Sequence, residues 1–304
     1  LEQIGLLHDG QIYDLQTAEA LNIKGDIIKA DDSKESLEIL RHSCAHMMAQ
    51  AIKELYPEAK FFVGPVVKEG FYYDFKVESK ISDEDLPTIE KKMKEIADRK
   101  LPITRHETTK EEFYEKFKND ELKQAVLKNI KDDTLTIYKQ GDFEDLCRGP
   151  HLPNTRMIRS FKLTRVAGAY LGGDEKNEMI TRIYGIAFFD KQALFDYTKM
   201  IEEAKKRDHR KLGTELELFT FNDDVGAGLP MWLPNGARLR SKLEHLLYKA
   251  HRVRGYEPVR GPEILKSEMW KISGHYANYK ENMYFTTIDE QEYGIKPMNC
   301  VGHI

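Results

Sequence analysis

Long hydrophobic runs, an even set of cysteines and an excess of basic charge are all missing from this sequence of 304 residues. Its longest apolar runs, residues 61–67 and 183–189, fall far short of the roughly 18 residues that a membrane-spanning helix needs. The three cysteines are odd in number and lie far apart, which argues against a disulfide framework and favours a reducing compartment. We therefore expect a cytoplasmic protein without a membrane partner.

Charges of the two signs are nearly balanced, since 51 acidic and 47 basic residues give a net charge of −4. The chain as a whole lacks the basic excess that marks many nucleic-acid-binding proteins, so any contact with a polyanion must be local. A length of 304 residues allows about two folded domains. The chain begins with Leu rather than Met, and residues 301–304 carry no helix-ending signal. We expect it to be a piece of a longer protein.

Helical and strand patterns mix along the first two thirds of the chain. A helix is predicted from about Asp32 to Tyr56, with Glu35 in the capping-box position, and a second helix from Ser82, with Asp85 as its capping partner. Further helices are predicted around 111–117 and 121–130, and strands at 61–63, 66–67, 71–75, 135–138 and 179–188. Without a regular alternation of strand and helix, the pattern favours an α+β fold over a parallel βαβ array.

Two short motifs carry four groups that could perform chemistry. His42 and His46 are four residues apart on the first helix, so their rings lie one turn apart on one side. Cys147 and His151 are also four apart, in a segment that the Gly149–Pro150 pair keeps from being a regular helix. Three imidazoles and a thiolate could bind Zn²⁺ tetrahedrally. They could equally form a metal-free hydrolytic pocket, or a buried polar cluster that joins helix and loop.

These motifs resemble those of one enzyme family. The segments 41–46, 63–66, 70–75 and 145–151 resemble the editing domain of bacterial threonyl-tRNA synthetases. The related alanyl-tRNA editing domains share the histidine and cysteine pattern, so that pattern alone does not separate the two. The segments 217–219, 226–236, 273–275 and 296–300 resemble the start of the class II catalytic domain of the threonyl enzymes. The resemblance therefore extends over almost the whole chain.

The resemblance implies an α+β protein in four parts. These are a partial β-rich, TGS-like segment at 1–31, an editing domain with an antiparallel or mixed sheet at 32–190, a linker helix at 191–213, and a truncated class II catalytic domain with an antiparallel sheet at 214–304. The intact protein would be a threonine–tRNA ligase that uses ATP and Mg²⁺, binds tRNA and threonine, and forms a homodimer through the region of residues 237–263. It would also hydrolyse mischarged seryl-tRNA, because one missing methyl group changes binding by only about 1–3 kcal/mol.

The resemblance also implies roles for single residues. Tyr73 and Asp145 would line the editing pocket, Met298 would bind substrate in the catalytic domain, and Cys300 would be one zinc ligand there, with the other ligands beyond residue 304. The catalytic groups of the editing pocket, which the resemblance implies to be metal-free, would be His42, His46, Lys123, Cys147 and His151. Two alternatives remain. One is a freestanding zinc-dependent aminoacyl-tRNA deacylase of the alanyl-editing type, which leaves residues 214–304 unexplained; the other is a non-enzymatic RNA-binding module.

Overall fold

The computed structural model describes residues 1–128, 130 and 132–299. The chain divides into two compact units, Leu1–Ala204 and Lys205–Ile304. Within the described ranges every pairing between strands is antiparallel, and helices are interspersed among them. The predicted α+β class is confirmed. None of the described helices combines the length and the apolar composition needed to cross a membrane.

The first unit contains strands β1 to β11 and helices α1 to α6. The strands are β1 Gln3–His8, β2 Gln11–Asp14, β3 Asp26–Lys29, β4 Lys60–Phe61, β5 Val66–Val67, β6 Gly70–Lys76, β7 Ile103–Thr109, β8 Thr134–Gln140, β9 Phe143–Leu146, β10 Ser160–Tyr170 and β11 Met179–Phe188. The helices are α1 Leu15–Ala20, α2 Lys34–Leu55, α3 Leu86–Asp98, α4 Lys110–Lys116, α5 Glu121–Lys128 and α6 Lys191–Lys206. Helix α6 runs two residues past the boundary between the units.

Helix α2 is the centre of the first unit. It packs on β6 and β11, on α3, and on the N-terminal strands β1 and β3. The sequence predicted one apolar stripe, formed by residues such as Leu40 and Cys44, with the histidines on a separate face. Both faces are buried, however, and small or polar side chains such as Ser43 and Ala45 fill the second one. Burial on nearly all sides leaves little room for solvent along this helix.

The start of α2 differs from the predicted capping box. Ser33 is the N-cap residue and makes no side-chain cap hydrogen bond. The Asp32 carboxylate accepts a hydrogen bond from the backbone N–H of Phe189 at 2.7 Å instead. It therefore ties the helix start to the end of β11 rather than to the helix itself. The capping box predicted at Ser82 and Asp85 is present.

Three antiparallel sheets surround α2. Their strand orders are β2-β1-β3, β10-β11-β6-β4 with β5 also on β6, and β7-β8-β9. Strand β10 was not predicted from the sequence, because it is an edge strand that exposes polar residues such as Lys162 and Arg165 and buries few side chains. The N-terminal sheet is not isolated from the rest, since Ile4 and Ile28 lie in the same hydrophobic core as α2.

The second unit contains strands β12 to β16 and helices α7 to α10. They are α7 His209–Glu215, β12 Phe219–Thr220, β13 Met231–Trp232, α8 Pro234–Arg252, β14 Ile264–Lys266, α9 Ser267–Ile272, α10 His275–Tyr279, β15 Phe285–Ile288 and β16 Gln291–Ile295. The strands form the pair β12-β13 and the sheet β14-β16-β15. The stretch expected to be one linker helix is two helices, because Asp208 caps a new helix after α6 ends.

Candidate active site

Helix α2 and the loop after β9 bring the four motif residues together. His42 and His46 project from α2, and Cys147 and His151 from the loop; one nitrogen or sulfur atom of each lies within 4.8 Å of the others. The ring centroids of His42 and His46 lie 4.2 Å and 4.3 Å from that of His151. His46 and His151 are buried, whereas His42 and Cys147 are partly exposed. We call these four residues the quartet; its solvent-facing side is formed by His42 and Cys147.

Ser43 fixes the orientation and tautomer of His151. Its hydroxyl donates to the carbonyl of Ile39 at 2.9 Å and accepts the backbone N–H of Leu152 at 2.8 Å. With its single hydrogen used, the Ser43 oxygen at 3.2 Å from His151 Nδ1 accepts a third hydrogen bond. With the Ser43 hydrogen assigned to Ile39, Nδ1 carries the proton, and Nε2 accepts from the Cys147 thiol at 3.0 Å. This network aims one imidazole nitrogen into the quartet.

Burial keeps the quartet uncharged. It lowers the pKa of His42 to about 4, an effect that backbone hydrogen bonds to Pro150 and Gly149 partly oppose. Burial, followed by the neighbouring charges, also lowers the pKa values of His46 and His151 well below the ordinary value. It raises the pKa of the Cys147 thiol. At neutral pH the quartet thus consists of three neutral imidazoles and a protonated thiol.

A buried acid–base pair lies beside the quartet. The Lys123 amine on α5 donates to the Asp145 carboxylate on β9, and the Tyr73 hydroxyl on β6 donates to the other oxygen of that carboxylate. Burial lowers the pKa of Lys123 to about 8 and raises the pKa of Asp145. Because the two groups are in contact, the pair has no net charge whether the proton lies on the amine or on the carboxyl. The amine acts electrostatically on His46 and Cys147, so it lies close to the quartet.

The structure therefore gathers seven of the nine residues singled out from the sequence. The other two belong to the second unit. Met298 follows β16 and is 44% exposed, and Cys300 lies outside the described residues.

Three residues of the site were missed by the sequence reasoning. Asp14 and Tyr138 hold the loop of Cys147 and His151, and Phe143 packs edge-on against His46 with ring centroids 6.1 Å apart. Tyr138 and Phe143 lie on predicted or neighbouring strands but carry no motif. Asp14 is 137 residues away from His151, in a segment expected only to be β-rich, and belongs to no motif.

The donor chemistry of the quartet fits a zinc ion. Three imidazoles and a thiol are the ligand types that Zn²⁺ prefers. The tautomer of His151, with Nδ1–H on Ser43 and a bare Nε2, is also the one that a histidine ligand adopts. If zinc bound here, His42, His46, Cys147 and His151 would hold it, and it would supply a polarised water.

Comparison with known proteins identifies relatives of the chain. Residues 135–184 match the family model described as the threonyl and alanyl tRNA synthetase second additional domain. A threonine–tRNA ligase of Campylobacter jejuni is 71% identical over 303 residues, which cover 100% of this chain and 50% of that protein. The threonine–tRNA ligase of Campylobacter lari is 76% identical over 274 residues, covering 90% of this chain and 45% of that protein. The resemblance to threonyl-tRNA synthetases is confirmed.

The matched region is the N-terminal part of these relatives. The chain spans about half the length of the curated relatives it matches. A solved structure, titled as the RNA binding domain of threonyl-tRNA synthetase from Cryptosporidium parvum Iowa II, is 48% identical. That likeness covers 32% of this chain and 24% of the other, with a TM-score of 0.31. Within the matched family region, 135–184, lie Asp145, Cys147 and His151.

Proposed function

We propose that this chain carries the hydrolytic editing site of a threonine–tRNA ligase. The observation that carries the proposal is the convergence of a neutral quartet from two motifs with a buried lysine–aspartate pair, in a chain 71% identical to named threonine–tRNA ligases. The proposed substrate is tRNA wrongly charged with serine, and the reaction is hydrolysis of the ester between the serine carboxyl and the terminal ribose.

The proposed reaction adds water across the ester bond. The water oxygen forms a bond with the carbonyl carbon, the bond from that carbon to the ribose oxygen breaks, and the ribose oxygen takes a proton. The products are serine and uncharged tRNA. The ester approaches from the side of His42 and Cys147, because these are the partly exposed members of the quartet.

The neutral imidazoles and Lys123 have different roles in this reaction. An uncharged imidazole accepts a hydrogen bond from the water and orients it, which a protonated one cannot do. Lys123, with a pKa of about 8, is the group of the site best matched to proton transfer near neutral pH. It donates to the developing oxyanion or to the leaving ribose oxygen. Asp145 accepts a hydrogen bond from the Lys123 amine and one from the Tyr73 hydroxyl, and these bonds fix the position of the amine.

We propose that the quartet works without a metal, as the resemblance to threonyl enzymes implies. The alternative is a zinc-dependent deacylase of the alanyl-editing type, which the fit of the donor set to Zn²⁺ favours. The two differ in what the thiol does, since a zinc ligand must be a thiolate.

The intact protein would also charge tRNA with threonine, using ATP and Mg²⁺ in a class II catalytic domain that holds zinc through Cys300 and ligands beyond this chain. We expect it to act in the cytoplasm, where Cys147 stays reduced.

A homodimer is supported by α8, which exposes a row of leucines to solvent: Leu239, Leu243, Leu246 and Leu247. The domain assignment at 1–31, 32–190, 191–213 and 214–304 stays part of this proposal.

The experiment that tests the editing proposal is single-turnover hydrolysis of seryl-tRNA by the chain. We expect His151→Ala to slow hydrolysis about 10²-fold, because it removes an imidazole that orients the reacting groups. The matched control is His106→Ala, since His106 lies exposed on β7. Threonyl-tRNA should be hydrolysed more slowly than seryl-tRNA by the unaltered chain. Equal hydrolysis by both variants and the unaltered chain would refute the site.

A further inference from the structure

The side chain of Asp14, at the end of β2, reaches the loop that carries Cys147 and His151. It is only 1% exposed and accepts three hydrogen bonds. One oxygen, Oδ1, accepts the backbone N–H of Thr17 at 2.8 Å and caps α1. The other, Oδ2, accepts the Tyr138 hydroxyl at 2.6 Å and the backbone N–H of His151 at 3.0 Å. One carboxylate thus serves a helix cap and the candidate active site together.

Both bonds to Oδ2 act on the position of His151. The first holds the residue by its own backbone N–H. The second holds the ring of Tyr138, which packs against the His151 imidazole with centroids 4.4 Å apart. Thr17 adds a contact of 3.0 Å between its hydroxyl and that of Tyr138. Asp14 therefore fixes the imidazole of His151 from its backbone and from one of its faces.

Gly149 makes this approach possible. Its φ of +74° lies in the left-handed region that favours glycine. A Cβ atom at this position would lie 2.5 Å from the Tyr138 hydroxyl and 2.8 Å from Asp14 Oδ2, closer than such atoms can pack. The loop passes directly over the carboxylate because residue 149 has no side chain.

The N-terminal segment that carries Asp14 is itself held firmly. Gln16 donates to the carbonyl of Ile103 at 2.6 Å and accepts the N–H of Arg105 at 2.8 Å, so it bonds to the edge of β7 like a strand residue. Ile4 is fully buried in the core that contains α2. Because the segment cannot shift freely, its carboxylate is a fixed reference point for the loop.

We propose that Asp14 is a positioning residue of the hydrolytic site, so that residues 1–31 complete the catalytic unit rather than precede it. The inference rests on the proposed hydrolytic function. Asp14 acts on the reaction through the placement of His151. Its charge also acts electrostatically on His42 and Cys147, and the amide exchange of His151 is the readout that reports placement alone. Removing its bond to His151 lowers the rate of the chemical step and leaves substrate binding unchanged.

The variant Asp14→Asn separates this role from a purely structural one. Asparagine caps helices about as well as aspartate, so the bond to Thr17 is kept. Its amide nitrogen replaces Oδ2, and the Tyr138 hydroxyl can turn round and accept from it. The His151 backbone N–H can only donate, and it therefore meets a second donor. The substitution breaks one contact of the three.

We expect Asp14→Asn to lower kcat for seryl-tRNA hydrolysis about 10- to 100-fold, because a displacement of the imidazole by up to about 1 Å has an effect of that size. KM should stay within about twofold of the unaltered value. The matched control, Asp9→Asn, changes an exposed carboxylate of the same segment at a turn where asparagine is well tolerated. Tyr138→Phe should cost only a few-fold, because Asp14 keeps its bond to His151.

A second measurement does not depend on activity. Hydrogen exchange of backbone amides in the whole chain should show faster exchange at His151 in Asp14→Asn than in the unaltered chain or in Asp9→Asn, with Ile183 of β11 unchanged as the internal reference. Unchanged exchange at His151, or a change in KM with kcat kept, overturns the inference. If the unaltered chain does not hydrolyse seryl-tRNA, the proposed function fails, and the exchange measurement still decides whether Asp14 positions the loop.

Discussion

The two halves of the candidate site, the quartet and the pair of Lys123 and Asp145, differ in whether burial leaves ionisable groups neutral or paired. In the quartet, burial removes charge: the pKa values of the three histidines are lowered and that of Cys147 is raised, so all four groups are neutral. In the pair of Lys123 and Asp145, two ionisable groups are buried in contact, and burial lowers the pKa of the amine and raises that of the carboxyl. A neutral donor–acceptor cluster suits the orientation of water and ester, and a pair with a mobile proton suits its transfer. The comparison assigns orientation to one half and proton movement to the other.

The largest effect is expected from breaking the pair. Lys123→Met should slow seryl-tRNA hydrolysis about 10²- to 10⁴-fold, because it removes the group whose pKa is best matched to proton transfer. Removing one partner of a buried pair also destabilises the fold by about 3–5 kcal/mol. The double variant Lys123→Met with Asp145→Asn leaves no unpaired charge, so it should regain most of the stability but none of the rate. Urea unfolding and single-turnover kinetics measure the two effects.

The control for that prediction is Lys116→Met, which removes an ion pair between the exposed Lys116 and the partly exposed Glu144. Its effect on stability should be at most about 1 kcal/mol, with an unchanged hydrolysis rate. Hydrolysis by Lys123→Met at the unaltered rate would contradict the assignment of proton transfer to the pair.

Acid should destabilise the protein through the quartet. The unfolded chain binds protons on its histidines below a pH of about 6.5, whereas burial lowers the pKa of His42 to about 4 and those of His46 and His151 well below the ordinary value. The unfolded state therefore binds more protons as the pH falls from 6.5 towards 4, and the free energy of unfolding decreases by about 1.4 kcal/mol per pH unit for each such histidine. Urea unfolding at a series of pH values measures this slope.

The variant His42→Gln should have a shallower slope over that interval, because one of the protonation differences is gone. His106→Gln, which changes an exposed histidine, should leave the slope unaltered. Equal slopes in both variants would show that the quartet is not kept neutral by burial, and the contrast between the two halves of the site would disappear.

A smaller effect is expected from the hydroxyl that supports the pair. Tyr73→Phe removes the hydrogen bond to Asp145 and keeps the ring against Phe61, with centroids 5.6 Å apart. The lost bond is to a charged or proton-sharing group, so hydrolysis should slow about 10-fold, equivalent to about 1.4 kcal/mol. Tyr72→Phe is the matched control, since its ring lies on the opposite face of β6 beneath Arg182. Equal rates for the two variants would exclude a role for the Tyr73 hydroxyl.

Elements with a strong period were predictable from the sequence. The helix expected from about Asp32 to Tyr56 is α2, and the strand expected at 179–188 is β11. Each half of the quartet was predictable as well, because it lies within five consecutive residues of a helix or a turn. That the two halves meet depends on tertiary packing, and the sequence suggested it only through the matching ligand types and the family resemblance. Edge strands such as β10 were not predictable, since their exposed residues interrupt the alternation of apolar and polar side chains.

The parts of the site that depend on tertiary packing were beyond local patterns. Lys123 and Asp145 are 22 residues apart on a helix and a strand, and only the family resemblance suggested that they share a pocket. Asp14 is 137 residues away from His151, in a segment expected to be β-rich, where it caps the helix α1 that was not predicted. Nothing in a local pattern says that the second oxygen of a capping carboxylate is used elsewhere.

The central claim is that a neutral quartet beside a proton-sharing pair hydrolyses seryl-tRNA without a metal. The most direct test is the single-turnover rate of the chain before and after exhaustive chelation, with zinc measured on the same samples and Cys147→Ser used to assign any zinc to the quartet. We predict an unchanged rate and no zinc that depends on Cys147. About one equivalent of zinc lost in Cys147→Ser, with a rate abolished by chelation and restored by zinc, would contradict the account.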